Sequence, residues 1–233
     1  MAQPFTEKIS IIIPVLNEAE GIAACLTPLQ SLRSAGHEVI VVDGGSEDDT
    51  VALAGPLADR VTRAPRGRAS QMNAGACIAR GKVLLFLHAD TRLPAEADRL
   101  IVEGIRCGGK GWGRFDVRLS GQHCLLRVVE GMMNFRSRLS GIATGDQAIF
   151  VRRNWFDAIG GFPDIPLMED IELSRRLKRL GPPLCLQPRA NTSSRRWEEH
   201  GILRTILLMW RLRLAFFLGA SPDRLVRRYY GGQ

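Results

Sequence analysis

The sequence lacks the cysteine patterns of disulfide-bonded or zinc-stabilised proteins. Its 233 residues include five cysteines, an odd number, and no two are spaced as Cys-x-x-Cys. This argues against both a disulfide framework and a structural zinc site, and most of the cysteines are expected to be buried as small apolar residues. No region is low in complexity and none resembles a linker, so we expect one folded domain.

A long, uninterrupted apolar segment is also missing. Residues 1–8 lack a basic stretch followed by an apolar one, so we expect neither a secretory signal nor a transit peptide, and a cytoplasmic location. The most apolar stretch, 202–218, contains Arg204, Arg211 and Arg213, which make it too charged for a membrane span. It is predicted to form an amphipathic helix that packs on the core or, alternatively, lies peripherally on an anionic membrane.

Positive charge is in excess and is concentrated toward the end of the chain. The formal net charge is +8, and residues 195–228 contain eight arginines but only three acidic residues. This distribution favours anionic partners such as a nucleotide or a phospholipid surface. No recognition motif or aromatic stacking pattern accompanies the arginines, so no nucleic-acid partner is expected.

Apolar runs alternate with helical segments in the first part of the chain, which predicts an α/β fold with a mainly parallel sheet. The predicted strands are 9–15, 39–43, 60–63 and 83–87, and the predicted helices are 17–35, 69–79 and 94–106. Asn17, with Glu20 three residues later, is expected to cap the first helix. Ser46 is expected to begin a second cap, with an acidic first turn over 47–49.

The pattern changes after residue 106. A glycine-rich segment, 108–113, precedes alternating Phe115, Val117 and Leu119, which predict a strand antiparallel to the parallel half. Further helices are predicted near 125–135 and 169–180, with a strand at 147–151 between them. The whole pattern predicts a mixed sheet flanked by helices.

Polar residues follow each predicted parallel strand. They are Asn17 and Glu18, Asp43, the arginines within 63–68, and His88 with Asp90. Each has a simpler explanation as a cap, a turn residue or a solvated charge. Because the carboxyl ends of parallel strands meet at one edge, where open α/β sheets bind ligands, their convergence favours one site. Such groups suit a nucleotide diphosphate, with Asp90 binding a divalent cation, Mn²⁺ or Mg²⁺.

Two common nucleotide-binding motifs are absent. A dinucleotide fold would place a glycine-rich turn directly after the first strand, where residues 14–18 instead read Pro-Val-Leu-Asn-Glu. No Gly-Lys-Ser/Thr sequence opens a helix, as a P-loop requires. Both of these nucleotide-binding folds are therefore excluded.

Several segments together resemble the family 2 glycosyltransferases of the GT-A fold, over roughly residues 9–180. They are 12–18 (IIPVLNE), 41–46 (VVDGGS), 73–75 (NAG), 88–90 (HAD) and 168–170 (MED). Segments 67–75, 144–148 and 166–170 more narrowly resemble the bacterial radical-SAM/selenodomain-associated transferases. The resemblance implies a single Rossmann-like GT-A domain over 1–190, with a nucleotide-sugar half at 1–92 and an acceptor half at 93–190. Residues 191–233 would form a basic, amphipathic helical segment packed on it.

The resemblance also implies roles for individual residues. Pro14, Asn17, Glu18 and Asp43 would hold the base and ribose of a nucleotide diphosphate sugar. Gly44, Arg68, Asn73, His88, Ala89 and Arg196 would complete the donor site. Asp90 would correspond to the last aspartate of the family's DxD motif and bind the metal directly. His88 replaces the first aspartate of that motif, which leaves the identity of the metal open.

His200 has two interpretations. Many related enzymes have, at the position of 195–200, a segment that closes over the diphosphate, and His200 would there complete the metal site. Alternatively, His200 is an ordinary solvated histidine. Asp146 likewise either orients the hydroxyl groups of the acceptor or is a turn residue after Gly145.

The acidic pair Glu169 and Asp170 opens a predicted helix whose Leu173, Leu177 and Leu180 would pack on the core. The resemblance makes Asp170 the general base of an inverting transfer. Free aspartate, with a pKa of about 3.9, is a weak base, so burial or an acidic neighbour such as Glu169 would have to raise that pKa. The simpler alternative is that both acids only stabilise the N-terminus of the helix.

The predicted function is a metal-dependent inverting glycosyltransferase acting on an unidentified acceptor, either a lipid or a small molecule. One alternative is a non-catalytic GT-A-like module that binds a membrane or a protein. A second is a sugar-1-phosphate nucleotidyltransferase, which normally has a glycine-rich loop with Arg and Lys after the first strand. That loop is absent here.

Overall fold

A mixed β-sheet runs through the centre of the protein. The computed structural model describes residues 7–230; residues 1–6, part of the segment expected to lack a signal, and the last three of the C-terminal segment lie outside the described residues. The strands are β1 (Ile9–Val15), β2 (Glu38–Asp43), β3 (Arg60–Arg63), β4 (Val83–Phe86), β5 (Thr91–Arg92), β6 (Trp112–Leu119), β7 (Ile149–Arg152) and β8 (Leu184–Thr192). Their order in the sheet is β3-β2-β1-β4-β7-β6-β8-β5. The first four pair in parallel, which confirms the predicted α/β fold class.

Helices cover both faces of this sheet. They are α1 (Ala19–Leu26), α2 (Gln30–Ser34), α3 (Thr50–Ala54), α4 (Arg68–Ile78), α5 (Ala97–Gly108), α6 (Cys124–Ser140), α7 (Arg153–Ala158), α8 (Glu169–Lys178), α9 (Arg195–His200), α10 (Ile202–Phe217) and α11 (Pro222–Tyr230). The single helix predicted over 17–35 is divided between α1 and α2 by a 3₁₀ turn at Thr27–Leu29, which contains Pro28. Proline lacks the N–H donor that a continuous helix requires.

The core has one apolar layer on each face of the sheet. Alternate residues of β1, such as Ile11 and Ile13, pack into one layer, and Ile12 packs into the other. Parallel strands covered on both faces need apolar side chains in both directions, which explains the continuous apolar runs. Helix α4 approaches closely at Gly75, where an added Cβ atom would overlap the side chain of Ile12.

The second half of the sheet departs from prediction in strand direction. The strand around Phe115, predicted as antiparallel, pairs antiparallel with β7 alone and runs parallel to β8. The strand that reverses direction against the parallel half is instead β7, which pairs antiparallel with β4. The predicted strand at 147–151 begins only at Ile149, because residues 145–147 form a 3₁₀ turn.

Strand β8 was not predicted; its sequence contains Pro188 and lacks a regular alternation of apolar and polar residues. Proline cannot donate to a sheet and argues against a central strand. The structure accommodates Pro188 by an irregularity in register: Phe115 pairs with Leu186, but the next residue, Asp116, pairs with Arg189. Gln187 and Pro188 are thus the extra residues of a bulge.

The expectation that most cysteines are buried was wrong. Cys77, Cys107 and Cys124 are exposed and Cys185 is partly exposed. Only Cys25 is buried, and burial raises the pKa of its thiol to about 12, with a further contribution from Asp90. All five are free thiols.

The last three helices pack against the body of the protein. Leu212 of α10 and Leu225 and Tyr229 of α11 form an apolar cluster with Leu167 and Met168. The segment predicted to be an amphipathic helix is α10, and its inner face is thus buried. Across residues 7–230, no helix combines the length and the apolarity that crossing a bilayer requires.

Candidate active site

Two adjoining cavities lie at the carboxyl edge of the parallel strands. We call the one of about 720 Å³ the strand-edge cavity, because its walls include 14–16, 66–71 and 88–90. We call the one of about 570 Å³ the arginine cavity, because Arg68, Arg136, Arg195, Arg196 and Arg213 line it. Glu18, Arg68, His88 and Asp90 line both. The structure therefore brings together four residues that the sequence placed at one sheet edge.

The other predicted residues divide between the cavities. Pro14, Ala89 and Glu169 line the strand-edge cavity, whereas Arg196, His200 and Asp146 line the arginine cavity. Four predicted donor-binding residues line neither: Asn17, Asp43, Gly44 and Asn73. Asp170 also lies outside both linings, next to Gly145.

Asn17 and Asp43 shape the loops that surround the site. Asn17 has a left-handed backbone, with φ of 53°, and its Oδ1 accepts a hydrogen bond from the backbone N of Glu47. Asp43 is fully buried; its Oδ1 accepts from the backbone N of Ser46, and its Oδ2 lies 3.5 Å from Nε of Arg63. These two side chains thus stabilise the turns after β1 and β2.

The predicted helix caps were therefore wrong. Helix α1 begins after Glu18, with no side-chain cap, and the backbone N of Ala19 instead donates to Asp48. Helix α3 begins after Asp49, and Ser46 accepts a hydrogen bond from the backbone N of Asn17. The prediction failed because the side chains of Asn17 and Ser46 form hydrogen bonds with the neighbouring loop. Such a tertiary contact cannot be recognised from local spacing.

Asn73 and Gly44 also make contacts within the protein. The Asn73 amide donates to the backbone O of Phe162 and accepts from its backbone N, both at 2.9 Å. Gly44 packs under the side-chain amide of Gln71. That amide donates at 2.8 Å to the backbone O atoms of both Val15 and Val42, and so ties the ends of β1 and β2 together.

Glu18 and Asp90 place two carboxylates on the shared wall of the cavities. Burial raises the pKa of Glu18, and the charge of Asp90 raises it further, while Arg195 and Arg68 oppose the change. His200 lines the arginine cavity together with both acids. In the part of the chain that the structure describes, no three His, Cys, Asp or Glu side chains form a metal-binding cluster.

His88 and Asp146 face each other in the arginine cavity. His88 Nδ1 lies 3.5 Å from Asp146 Oδ1, with the histidine side chain 13% exposed and the aspartate side chain 44% exposed. Gly145 lets the turn approach so closely, because a Cβ atom there would overlap the His88 ring. Burial alone would raise the pKa of Asp146, but His88, Arg68 and Arg213 together outweigh burial and lower it.

The acidic pair lies at the start of α8. Glu169 is 5% exposed, and burial together with the charge of Asp170 raises its pKa. Asp170 accepts hydrogen bonds from the backbone N of Gly145 at 3.0 Å and of Ile171 at 2.7 Å. Leu173 and Leu177 are buried as predicted, whereas Leu180 follows the end of α8 and is 45% exposed.

Sequence reasoning missed two arginines of the arginine cavity. Arg136 of α6 and Arg213 of α10 interrupt otherwise apolar helix faces, and both have a pKa lowered chiefly by burial. The charge of Asp170 acts on both in the opposite direction. The signal available in the sequence was an arginine within an apolar stripe, which alone does not indicate where the side chain points.

A model of the family described as Glycosyl transferase family 2 matches residues 10–118. A "PGL/p-HBAD biosynthesis glycosyltransferase" of Mycobacterium bovis is 39% identical over 98 residues, which cover 39% of this chain and 38% of that protein. "Probable glycosyltransferase YdaM" of Bacillus subtilis is 27% identical over 236 residues, covering 91% of this chain and 55% of that protein. The chain thus spans about two fifths to just over half of the length of these relatives.

Solved structures share the fold. TarS 1–349 of S. aureus, in complex with UDP-GlcNAc, superposes with a TM-score of 0.67 at 18% identity, covering 80% of this chain and 58% of that one. Mannosyltransferase PcManGT of Pyrobaculum calidifontis, in complex with GDP-Man and Mn²⁺, superposes with a TM-score of 0.64 at 20% identity, covering 91% and 62%. The fold is GT-A. These structures show the fold, and the family 2 model matches the part of it that spans residues 10–118.

Proposed function

We propose that this protein is a metal-dependent, inverting glycosyltransferase that uses a nucleotide diphosphate sugar. The observation that carries the proposal is the shared wall of the two cavities, where Glu18, Arg68, His88 and Asp90 converge. A guanidinium group and carboxylates at the carboxyl edge of a parallel sheet suit a diphosphate and a cation. TarS and PcManGT, which share the fold, are described in complex with UDP-GlcNAc and with GDP-Man and Mn²⁺, which supports this donor class.

A divalent cation fits the chemistry of this wall. Asp90 and His200 are the residues that would hold it. The pKa of Glu18 is raised by burial and by the charge of Asp90, so a nearby positive charge would relieve this repulsion. When bound, the cation would neutralise charge that develops on the leaving diphosphate. Arg68 and Arg196 would share that task from the protein side.

Asp170 is the proposed general base, with Glu169 as its acidic neighbour. Its carboxylate accepts two backbone hydrogen bonds, which leaves lone pairs able to accept a proton. The acceptor oxygen would attack the anomeric carbon on the face opposite the diphosphate and form the new C–O bond. The bond to the diphosphate oxygen breaks, and the hydroxyl proton passes to Asp170. Asp146, which lines the arginine cavity, would orient the acceptor hydroxyl group.

The same proposal includes the subgroup and the location in the cell that the sequence analysis predicted. We propose membership of the radical-SAM/selenodomain-associated subgroup and a cytoplasmic location. A peripheral position on an anionic membrane is also proposed, because the exposed face of α10 carries large apolar side chains next to arginines.

Nucleotide binding provides the test. Calorimetry with UDP, GDP, CDP and dTDP, each with and without Mn²⁺ or Mg²⁺, should identify one nucleotide whose binding requires the metal. The variant Asp90→Ala should lose this metal requirement and most of the affinity, whereas Asp157→Ala, an exposed residue of α7 that lines neither cavity, should bind normally. If none of the four nucleotides binds, the proposal fails and a non-catalytic module becomes the better interpretation.

A further inference from the structure

Helices α6 and α10 contact each other, and each leaves a stripe of large apolar side chains exposed. On α6 the stripe consists of Val128, Met132, Phe135 and Leu139, and on α10 of Leu203, Leu207, Trp210, Leu214 and Phe217. The spacing of three and four residues puts each set on one face of its helix. Phe217 is 85% exposed and Leu139 is 79% exposed. Apolar surface of this extent usually indicates a binding site.

An apolar groove of about 940 Å³ runs along α10 in this region. Its apolar walls include Ile142, Ile171, Leu207, Trp210, Leu214 and Phe217. Four arginines also line it, namely Arg136, Arg175, Arg211 and Arg213. Among the described residues, its lining contains no acidic side chain. Arg175 pairs with Glu172 at 3.3 Å, outside the lining, so the groove combines apolar surface with an excess of positive charge among its lining residues.

The groove is continuous with the arginine cavity, since Arg136, Trp210 and Arg213 line both. Two nitrogens of Arg136, Nε and Nη2, are buried without a hydrogen-bond partner among the described residues. Burial, with the charge of Arg213, lowers the pKa of Arg136 to about 10. A buried donor without a partner costs free energy, and an oxyanion would remove that cost. The chemistry of the junction between the two cavities thus suits an anionic group.

We propose that the groove binds the acceptor, and that the acceptor is an amphiphile with a phosphate or carboxylate headgroup. Its headgroup lies at Arg136 and Arg213, next to Asp170, and its apolar chain lies in the groove against Trp210 and Leu214. The inference rests on the proposed function, and the reaction is the transfer described above, at a hydroxyl group of the headgroup. A second copy that docked through the same groove would bring its own arginines against those already there, so it fits the groove less well.

Binding of dodecyl phosphate, below the concentration at which it forms micelles, tests this directly. Calorimetry on the wild-type protein, without any nucleotide, should detect binding at least about tenfold tighter than that of dodecanol or of inorganic phosphate. Dodecanol offers only the apolar chain, and inorganic phosphate offers only the anionic group. Arg136→Gln should weaken dodecyl phosphate binding by about tenfold, and Leu214→Gln should weaken dodecyl phosphate and dodecanol alike.

Two variants serve as matched controls. Arg204→Gln removes an exposed arginine of the same helix α10 that lines neither the groove nor the cavities, and Leu53→Gln removes a 43% exposed leucine of α3. Both should bind dodecyl phosphate as the wild type does. If Arg136→Gln does not fold, as judged by circular dichroism, Arg213→Gln replaces it.

The outcomes separate this inference from the proposed function. Equal binding of dodecyl phosphate and dodecanol, or equal affinity in Arg136→Gln and Arg204→Gln, would overturn the inference while leaving nucleotide binding intact. Binding of the protein to phosphatidylglycerol vesicles without binding of monomeric dodecyl phosphate would also overturn it, in favour of a bilayer surface. If the protein formed a concentration-dependent dimer that prevented dodecyl phosphate from binding, the inference would also be overturned, in favour of a second copy as the occupant. Normal binding of dodecyl phosphate with no nucleotide binding would instead defeat the proposed function.

Discussion

The loops after the parallel strands differ from helices α6 and α9 in how their polar side chains are hydrogen-bonded. In the loops, polar groups bond to one another: Asn17 accepts from the Glu47 backbone, and Gln71 ties the ends of β1 and β2 together. In the helices, Arg136 and Arg196 each bury two nitrogens that have no hydrogen-bond partner among residues 7–230. Arg196 also lies over the Tyr229 ring, with its guanidinium carbon 3.7 Å from the ring centroid.

The difference indicates which region depends less on a ligand. Hydrogen bonds between the loops fix their shape before any ligand arrives, although within residues 7–230 the buried Oδ2 of Asp43 has only its 3.5 Å contact with Nε of Arg63. A buried guanidinium nitrogen without a partner costs about 1–3 kcal/mol, which an anion can recover. The strand-end loops thus fix the geometry of the site, and the helical part supplies its unsatisfied positive charge.

The largest expected effect concerns the acid at the start of α8. Asp170→Asn should lower the rate of sugar transfer by about 10²–10⁴-fold, because the amide cannot accept the hydroxyl proton, while nucleotide affinity stays unchanged. Steady-state kinetics and calorimetry on the same preparation measure both quantities.

Asp146→Asn is the matched comparison, since Asp146 lines the arginine cavity and follows Gly145, whose backbone N donates to Asp170. It should raise KM for the acceptor more than it lowers kcat. If Asp170→Asn kept a nearly normal rate while Asp146→Asn lost most of its activity, Asp146 and not Asp170 would be the base.

A smaller effect is expected in the scaffold. Gly75→Ala should lower the free energy of unfolding by about 1–3 kcal/mol, because the added methyl group would overlap Ile12 and press on Val42. Thermal and urea unfolding give this value. In Gly131→Ala, on α6, the methyl group meets open space, so helix propensity should raise stability by about 0.5–1 kcal/mol. Equal changes in both variants would show that α4 does not need its close approach to the sheet.

The smallest effect is on thermal stability, and it tests whether the buried carboxylate of Glu169 destabilises the folded protein. The folded-state pKa of Glu169 is raised, first by burial and then by Asp170, so folding favours its protonated form. Its carboxylate therefore lowers stability as pH rises above the unfolded-state pKa. Glu169→Gln should raise Tm at pH 7, and the gain should shrink as the pH approaches 4.

Asp146 provides the opposite case for the same measurement. Its pKa is lowered in the folded protein, chiefly by His88 against the effect of burial. Its carboxylate contributes stability above the unfolded-state pKa, and that contribution is lost as pH falls through the folded-state pKa. Asp146→Asn should thus lower Tm at pH 7 and change it little in acid. The same sign for both variants would contradict this electrostatic account.

Much of the parallel half could be predicted from the sequence, because local patterns determine it. The run Val83–Phe86 is apolar on both faces. A strand buried between two layers of helices needs apolar side chains in both directions, so this run was recognisable as such a strand. Glu18, Arg68, His88 and Asp90 were predicted to share a sheet edge because parallel strands end at the same side. The roles of Asn17, Asp43 and Asn73 were not predictable, since each depends on a partner about 30 or more residues away, or on full burial.

The periodicity of apolar residues is enough to specify the α/β class, the four parallel strands and the sheet edge at which polar residues converge. The path of β8 around Pro188, the contact of His88 with Asp146, and the position of Arg136 and Arg213 between groove and cavity became visible only in the folded protein. Those features join segments far apart in the chain. Their energetics depend on burial and on partners, which no local pattern of residues encodes.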